Sequence, residues 1–442
     1  MNLLNLPDYD ISRVEQSARD YRVHATYKPE PDRCIHCGKG VLFGGKLYRH
    51  GSREQLLMDL PAHGKRVGVL LTRNRYRCQD CGKTFLQPIP DADERSQMTK
   101  RLAVFIGEQS IVRTFASVAD DVGVDEKTVR NLFNEYIDRL DTETAFVTPD
   151  WLGIDEVHLL RKPRCVLTNV KDRTIIGVLE ERSKKAVVAH LSHMENNDLV
   201  EVVTMDMWRP YLDAVGLTMP KAAVVIDKFH VVRMANQCLE DVRKSFRAGL
   251  ELKARRQLMH DRFVLLRRES DLKPEQREKL ESWAKVFPLL GEAHRVKEGF
   301  FRIYDHPTRA EAEAAFVAWE KSIPHNLLMP FRPLLTAVYN WKPTIFNYFD
   351  HRATNACTEA LNGIAKNIER LGRGYSFKAI RAKMLYSKGL QKQIRPVRYG
   401  GDFVGKMVGC PIDGPRPILG TDVDALLRVL EQERPTDGES TR

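Results

Sequence analysis

Between Trp151 and Asp227 the chain changes its hydrophobic period in a way that few folds accept. WLGIDEVHLL (Trp151 to Leu160), RCVLTNV (Arg164 to Val170) and TIIGVLEE (Thr174 to Glu181) are apolar runs of strand length joined by short polar turns, and they predict a three-stranded meander. KKAVVAHLSHM (Lys184 to Met194) then has the spacing of an amphipathic helix, and a fourth strand ends at Asp206. MWRPYLDAV follows as a short helix, and AAVVID makes a fifth strand ending at Asp227. Strands joined first by turns and then by helices predict an α/β unit. From Phe229 to about Tyr348 the pattern is helical, with Pro274 suited to a first helical turn and Thr308 to Glu311 forming a capping box. This long helical stretch separates the fifth strand from the next acidic motif, HRATNACTEALNGIAK (His351 to Lys366). There Asn355 can cap a helix that carries Glu359, Asn362, Gly363 and Lys366 on one face.

Side chains alternate across a strand, so Asp155 and Glu156 point to opposite faces and cannot serve one site together. Asp155 shares its face with Gly153, which leaves room beside it.

Upstream, CIHCGKG (Cys34 to Gly40) and CQDCGKTF (Cys78 to Phe85) are each C-x-x-C-G-K, a tight turn whose two thiolates can reach one ion. Together Cys34, Cys37, Cys78 and Cys81 make a four-thiolate tetrahedral site for a structural Zn²⁺, with no open position for catalysis. The stretch between the two pairs holds strand-like runs, VGVLLT and RYRC, that predict a hairpin arm. Cys165, Cys238, Cys357 and Cys410 lack such spacing and are expected as buried thiols. Next, TFASVADDVGVDEKTVRNLFNEYI (Thr114 to Ile137) predicts a helix-turn-helix. Phe115, Val118, Ala119 and Val122 line one helix, Gly123 turns, and Asp125 caps a second helix with Val129, Leu132, Phe133 and Tyr136 inward. Lys127, Thr128, Arg130 and Asn131 would then face outward at the start of the recognition helix, toward DNA.

Charge points to the same class of partner. The chain of 442 residues carries a net +11, and the segment from Leu361 to Cys410 has 11 Lys or Arg against two acids. Such a concentration suits a polyanion, most commonly DNA or RNA, although a solvated helical face has the same composition. With 43% apolar residues the chain can bury several domain cores. It holds no apolar run approaching the roughly 20 residues of a membrane span, and no signal-peptide pattern at its start, so a cytoplasmic protein is expected.

In this order the ribbon, the helix-turn-helix, GIDEVHLL, VTMDMWRPYLDAV, VVIDKFHVVRMAN and TNACTEALNGIAKNIERLGRGYSF resemble the bacterial insertion-sequence DDE transposases, in particular the ISL-three family. The resemblance reaches to about residue 395. Ala360 and Gly363 depart from it, standing where Gly and Asn are frequent in the family. It implies an RNase H-like mixed sheet with an all-helical insertion, preceded by a zinc ribbon and a helix-turn-helix. The expected domains are a zinc ribbon over 1–95, a helix-turn-helix over 96–148, a catalytic core over 149–230 and 349–395, the insertion over 231–348, and a partly disordered tail over 396–442. It implies a nucleoid-associated enzyme that binds double-stranded DNA at terminal inverted repeats, cleaves it, and joins it to a target as a homo-oligomer.

Cleavage of a phosphodiester without a covalent intermediate needs a polarised water and a stabilised leaving oxygen, which two Mg²⁺ (or Mn²⁺) ions supply when held by carboxylates. Asp155 and Glu359 are two of the expected catalytic acids. For the third, an RNase H-like sheet has its first strand in the middle, the fourth beside it and the fifth one further out. Strands lie about 4.8 Å apart, so Asp206 on the fourth neighbours Asp155, whereas Asp227 on the fifth starts roughly 10 Å away. Asp206 is therefore the expected metal ligand and Asp227 the alternative, paired with His230 in a D-x-x-H motif. Trp208 reads either as a core residue or as a platform for an unstacked base. Lys366, Arg370 and Arg373 are expected phosphate contacts. A transposase-derived regulator that binds DNA through its N-terminal part and does not cut is the rival reading.

Overall fold

The computed structural model describes residues 4–93, 96–249 and 251–387, without the side chains of residues 247, 248, 254 and 356–362. Two compact units emerge, one built from Met1–Ala145 with Ile368–Gly389, the other from Phe146–Asn367.

In the first unit, β1 (Tyr9–Gln16), β2 (Asp20–Tyr27), β3 (Leu47–Ala62), β4 (Lys65–Cys78), β5 (Thr84–Leu86), β6 (Ala92–Asp93) and β7 (Met98–Thr99) form one sheet. Its order is β1-β2-β4-β3-β7-β6, with β5 against β4. β3 and β4 are the hairpin expected between the cysteine pairs, and His63 and Gly64 turn it at positive φ. Val67, Val69 and Leu71 alternate inward from β4 and meet Val23, Tyr27 and Leu57 in a small core. Strands β1 and β2 have no counterpart in the sequence reading, because their polar residues leave little alternation to detect.

Three helices follow: α1 (Lys100–Val112), α2 (Phe115–Val122) and α3 (Glu126–Glu143). Thr99, Thr114 and Asp125 cap them, each accepting the amide of the third residue onward, and Gly123 turns between α2 and α3 at φ +75°. α3 buries Val129, Leu132, Phe133 and Ile137. Tyr136, expected in that face, is half-buried over Gly107 of α1, where an added Cβ would meet its ring at 2.5 Å.

The expected division at residue 95 is not a unit boundary. Asp59 of β3, fully buried, accepts from Thr99 Oγ1 at 2.7 Å and Arg101 Nε at 2.8 Å, so the first turn of α1 is pinned to the hairpin. Within the expected stretch of 349–395, the residues from Ile368 cluster with the first unit. The helix Phe377–Tyr386 packs in the first unit, where Lys383 Nζ donates to the carbonyls of Ser110, Ile111 and Arg113 at the C-terminal end of α1. These are carbonyls a helix end leaves unsatisfied, and Phe115, Phe133 and Tyr375 enclose the ammonium at 5.3, 5.8 and 5.0 Å. Burial lowers this lysine to about 8. Lys378 and Arg381 of the same helix pair with Asp138 and Asp141 of α3 at 2.6 and 2.9 Å. Three cations of the basic segment are thus spent inside the fold, while Lys366, Arg370 and Arg373 stay exposed. Residues beyond 387, including Cys410 and the expected tail, lie outside the described residues.

The second unit contains β8 (Trp151–Leu159), β9 (Lys162–Asn169), β10 (Thr174–Leu179), α4 (Lys184–Ser192), β11 (Val202–Met205), α5 (Arg209–Thr218) and β12 (Ala223–Ile226). The sheet order is β10-β9-β8-β11-β12: the first three strands are an antiparallel meander, β11 runs parallel to β8, and β12 parallel to β11. α6 (Lys228–Ser245), α7 (Leu252–His260), α8 (Arg262–Leu266), α9 (Pro274–Val286), α10 (Pro288–Ile303), α11 (Arg309–Lys321) and α12 (Leu328–His351) then precede α13 (Ala356–Leu371). One apolar core runs from Leu152 and Met205 through Leu239 to Phe346 and Ala353, so sheet and helices stabilise each other rather than forming separate bodies. Polar ties reinforce this packing: Asn347 Nδ2 donates to Val224 O of β12 at 2.7 Å, and Arg209 stacks 4.5 Å over Trp341. Among the described residues no helix is long and apolar enough to cross a membrane.

Candidate active site and zinc ribbon

The two cysteine turns are built alike. In each, the glycine after the second cysteine has φ near +70° and donates to the carbonyl of the first, Gly38 to Cys34 at 2.9 Å and Gly82 to Cys78 at 3.0 Å. Cys34 Sγ lies 3.7 Å from Cys81 Sγ, and Cys37 Sγ lies 3.9 Å from Cys78 Sγ. Zn–S bonds of about 2.3 Å in tetrahedral geometry place neighbouring sulfurs roughly 3.8 Å apart, so the donor set fits zinc. The local core is too small to hold these turns by itself, since Cys34, Tyr76, Cys78 and Phe85 are its only fully buried members among the described residues. Two buried rings contribute about 2–3 kcal/mol each, against ordering costs of about 1–2 kcal/mol per residue through both turns. Cys165 and Cys238 are buried as expected, and the Cys357 side chain lies outside the described residues.

At the other unit, strand register lines up three acids. Met205 of β11 pairs with Ile154 of β8, and Ile226 of β12 pairs with Met205. The next residue on each strand is an aspartate: Asp155, Asp206 and Asp227 form a row across adjacent strands. Carboxylate oxygens of Asp155 and Asp206 and a ring nitrogen of His230 all lie within 4.8 Å of one another. Asp155 is 6% exposed and accepts the Glu156 amide at 2.6 Å. Burial first, and then the Asp206 carboxylate, push its carboxyl up to about 8. The pair is therefore one negative charge short of its full complement at neutral pH, and a hard divalent cation fits there in place of the proton.

Asp227 is positioned differently. It is 3% exposed, caps α6 by accepting the Phe229 amide at 3.4 Å, and lies 3.6 Å from His230 Nδ1. His230 was expected to pair with Asp227, but its Nδ1 is nearer to Asp206 Oδ1, at 2.9 Å. The reason is helical: three residues into α6, the ring reaches back over the sheet edge and lies between both carboxylates. Asp206 first and Asp227 second raise His230 to about 10, so the ring is an imidazolium at neutral pH. Glu359 falls in the first turn of α13, and its side chain lies outside the described residues.

Gly153 does not leave open room beside Asp155. A Cβ there would meet Thr168 Oγ1 at 2.2 Å and Asn355 Oδ1 at 2.7 Å, because the Asn355 side chain fills the space. Asn355 is 2% exposed, donates from Nδ2 to Ile154 O at 3.2 Å, and accepts from Thr204 Oγ1. It was expected only as a helix cap. Its role against the sheet, and that of Thr204, had no signal in the sequence, since an Asn before a helix reads as a cap.

The sequence carries matching evidence along most of its length. Residues 152–384 match a family model described as transposase, residues 87–137 the helix-turn-helix domain of transposase family ISL3, and residues 30–81 the zinc-finger of transposase IS204/IS1001/IS1096/IS1165. The chain belongs to the ISL3 transposase family. It is similar to the transposase for insertion sequence element IS1001 of Bordetella parapertussis, with 22% identity over 380 residues, covering 83% of this chain and 92% of the relative. In this ISL3 transposase the residues matched to the transposase model therefore include the sheet, its helices and α13, and the zinc-finger and helix-turn-helix matches both fall in the first unit.

Beside Asp206 the ISL3 transposase has a cavity of about 410 Å³ lined in part by Glu156, Arg182, Trp208, Tyr211 and Arg233. Trp208 is 39% exposed rather than core, and Arg182, paired with Glu156, stacks 4.5 Å over its ring. In the helix-turn-helix, Lys127 and Asn131 are exposed. Thr128 Oγ1 is taken up by Asp125, at 2.6 Å. Arg130 is tied to Glu126 at 2.8 Å and to Gly374 O at 3.0 Å, so the four residues expected to face DNA divide into two exposed and two engaged within the unit.

Proposed function

We propose that this ISL3-family transposase binds the terminal inverted repeats of its own insertion sequence through the ribbon and the helix-turn-helix, and cleaves and joins DNA strands in a Mg²⁺-dependent reaction at Asp155, Asp206 and Glu359. The observation that carries the proposal is the buried Asp155 carboxyl facing Asp206 from the adjacent parallel strand, with ligand atoms within 4.8 Å. The strand order supports an RNase H-like sheet: the first strand is central, the fourth lies beside it and the fifth one further out. Mg²⁺ ions held by these carboxylates would polarise the attacking water or 3′-hydroxyl and stabilise the leaving oxygen.

The chain's own residues supply the rest. Asp155 would give up its proton to hold a cation, so metal affinity is expected to rise with pH up to about 8. His230 stays charged, lies 2.9 Å from Asp206, and as an imidazolium does not compete as a metal ligand. Asp227 fixes the start of α6 and backs His230. Trp208, Arg182 and Arg233 line the cavity next to Asp206, where a displaced strand would pass. Lys366, Arg370 and Arg373 contact phosphates near the cleaved strand, and the active assembly contains at least two copies, one for each element end.

In the DNA-binding unit, Lys127 and Asn131 contact the repeat while Arg130 and Thr128 hold the recognition helix. Lys127→Ala and Asn131→Ala are expected to weaken repeat binding several-fold with an unchanged melting temperature, Lys127→Ala also reducing the salt slope by about one. Arg130→Ala is expected to lower the melting temperature as well. Fluorescence anisotropy across a salt series, with thermal melts, checks both. The test of the whole reading uses purified protein, Mg²⁺ and end-labelled duplexes with and without the terminal repeat. Cleavage at the repeat end followed by joining is expected. Equal cutting of both duplexes would make the protein a nuclease instead, and binding without cutting in any divalent metal would make it a regulator.

A further inference from the structure

We propose that Asn355 is a positioning residue that sets the geometry of the three-acid site. The inference rests on the reading of Asp155, Asp206 and Glu359 as metal ligands. One carboxamide joins three chain segments, each next to one of those acids. Its Nδ2 donates to the carbonyl of Ile154, the residue before Asp155. Its Oδ1 accepts from the hydroxyl of Thr204, two residues before Asp206. Asn355 itself stands four residues, one helical turn, before Glu359, immediately ahead of α13.

The pin is buried and has no slack. Asn355 is 2% and Thr204 0% exposed, so each bond is made away from water and its loss leaves an unsatisfied polar group. Glycine at 153 is required by the same contact, since a Cβ would come within 2.7 Å of Asn355 Oδ1 and 2.2 Å of Thr168 Oγ1. Strands β8 and β11 are already fixed to each other by parallel pairing, so the amide adds little to their registry. What it adds is the placement of the start of α13 relative to both strands. Position 359 follows on the backbone one turn later, and a shift of about 1 Å at the start of α13 exceeds the roughly 0.2 Å to which the ligands of a shared cation are held.

The test measures metal binding, with cleavage as a second readout. Mn²⁺ is titrated into the full chain and followed by electron paramagnetic resonance for wild type, Glu359→Gln, Asn355→Ala, Gly153→Ala, Thr204→Val and Thr204→Ser, with melting temperatures for each. Asn355→Ala and Gly153→Ala are expected to weaken Mn²⁺ binding about tenfold or more, as Glu359→Gln does, and to raise the Mg²⁺ needed for half-maximal cleavage in parallel. Thr204→Val should weaken binding several-fold, while Thr204→Ser, which keeps the hydroxyl, stays near wild type. If Asn355→Ala does not fold, the Thr204 pair decides alone. Wild-type Mn²⁺ affinity in folded Asn355→Ala and Thr204→Val, with Glu359→Gln weakened, overturns the pin and leaves the three-acid site standing. Wild-type affinity in Glu359→Gln as well removes Glu359 from the site, and the pin falls with it.

Discussion

Asp155→Asn is expected to abolish strand cleavage and, in metal-free protein, to raise the melting temperature at pH 8. The two effects have one cause. Asparagine keeps the shape of the side chain and its hydrogen bond to the Glu156 amide, but cannot supply a charged oxygen to a cation, so cleavage should fall at least about a thousandfold, ~4 kcal/mol of transition-state stabilisation. Stability moves the other way because the folded carboxyl is raised from its ordinary 3.8 to about 8 by burial and by Asp206. For a raised group the contribution to stability is full below the unfolded value near 4 and is lost as pH climbs to about 8. Wild type and Asp155→Asn should therefore melt together near pH 4 and diverge above it, with the variant higher. A penalty of even about 2 kcal/mol moves the midpoint of a unit this size by roughly 4–8 °C. Adding Mg²⁺ should close the gap by stabilising wild type alone. Scanning calorimetry from pH 4 to 8, with and without Mg²⁺, measures it; a variant that melts lower than wild type at pH 8 would contradict the buried-acid account.

Removal of zinc is expected to have the second large effect, and it should fall on DNA binding. The sulfur spacings of 3.7 and 3.9 Å are those of a tetrahedral site, and the cluster of Cys34, Tyr76, Cys78 and Phe85 is too small to order both turns. Structural zinc contributes on the order of 10 kcal/mol to small sites of this kind. Cys34→Ser or Cys81→Ser, or prolonged chelation, should release close to one zinc per chain and weaken repeat binding tenfold or more. The second unit should keep its melting transition, since its core does not include the ribbon. Metal analysis, anisotropy and calorimetry read the three consequences separately.

How much of this was legible beforehand varies by element, for physical reasons. The cysteine turns, the cap at Asp125, and the five strands from Trp151 to Asp227 are local patterns, set by residues close in sequence. Strand counting also placed Asp206 next to Asp155, which the register now shows as a row with Asp227. What failed to show were contacts between distant segments. His230 was assigned to Asp227 because the two are three apart, whereas the turn of α6 brings it closer to Asp206. Asn355 looked like a helix cap, and nothing local reveals that its amide reaches Ile154 and Thr204 across some 150 to 200 residues. The charge of the segment from Leu361 to Cys410 suited a polyanion as a whole, but Lys378, Arg381 and Lys383 within it serve acids and carbonyls of the first unit's helices. Net charge counts cations without saying which are already paired.

The most direct test of the account compares Asp206→Asn with Asp227→Asn in Mg²⁺-dependent cleavage of a duplex carrying the element's terminal repeat. Both substitutions preserve shape, and asparagine can still cap α6 at position 227. The predicted result is loss of at least about a thousandfold for Asp206→Asn and retention within about tenfold for Asp227→Asn. Loss on Asp227→Asn with activity kept in Asp206→Asn would put the second metal ligand on β12 and contradict the site described.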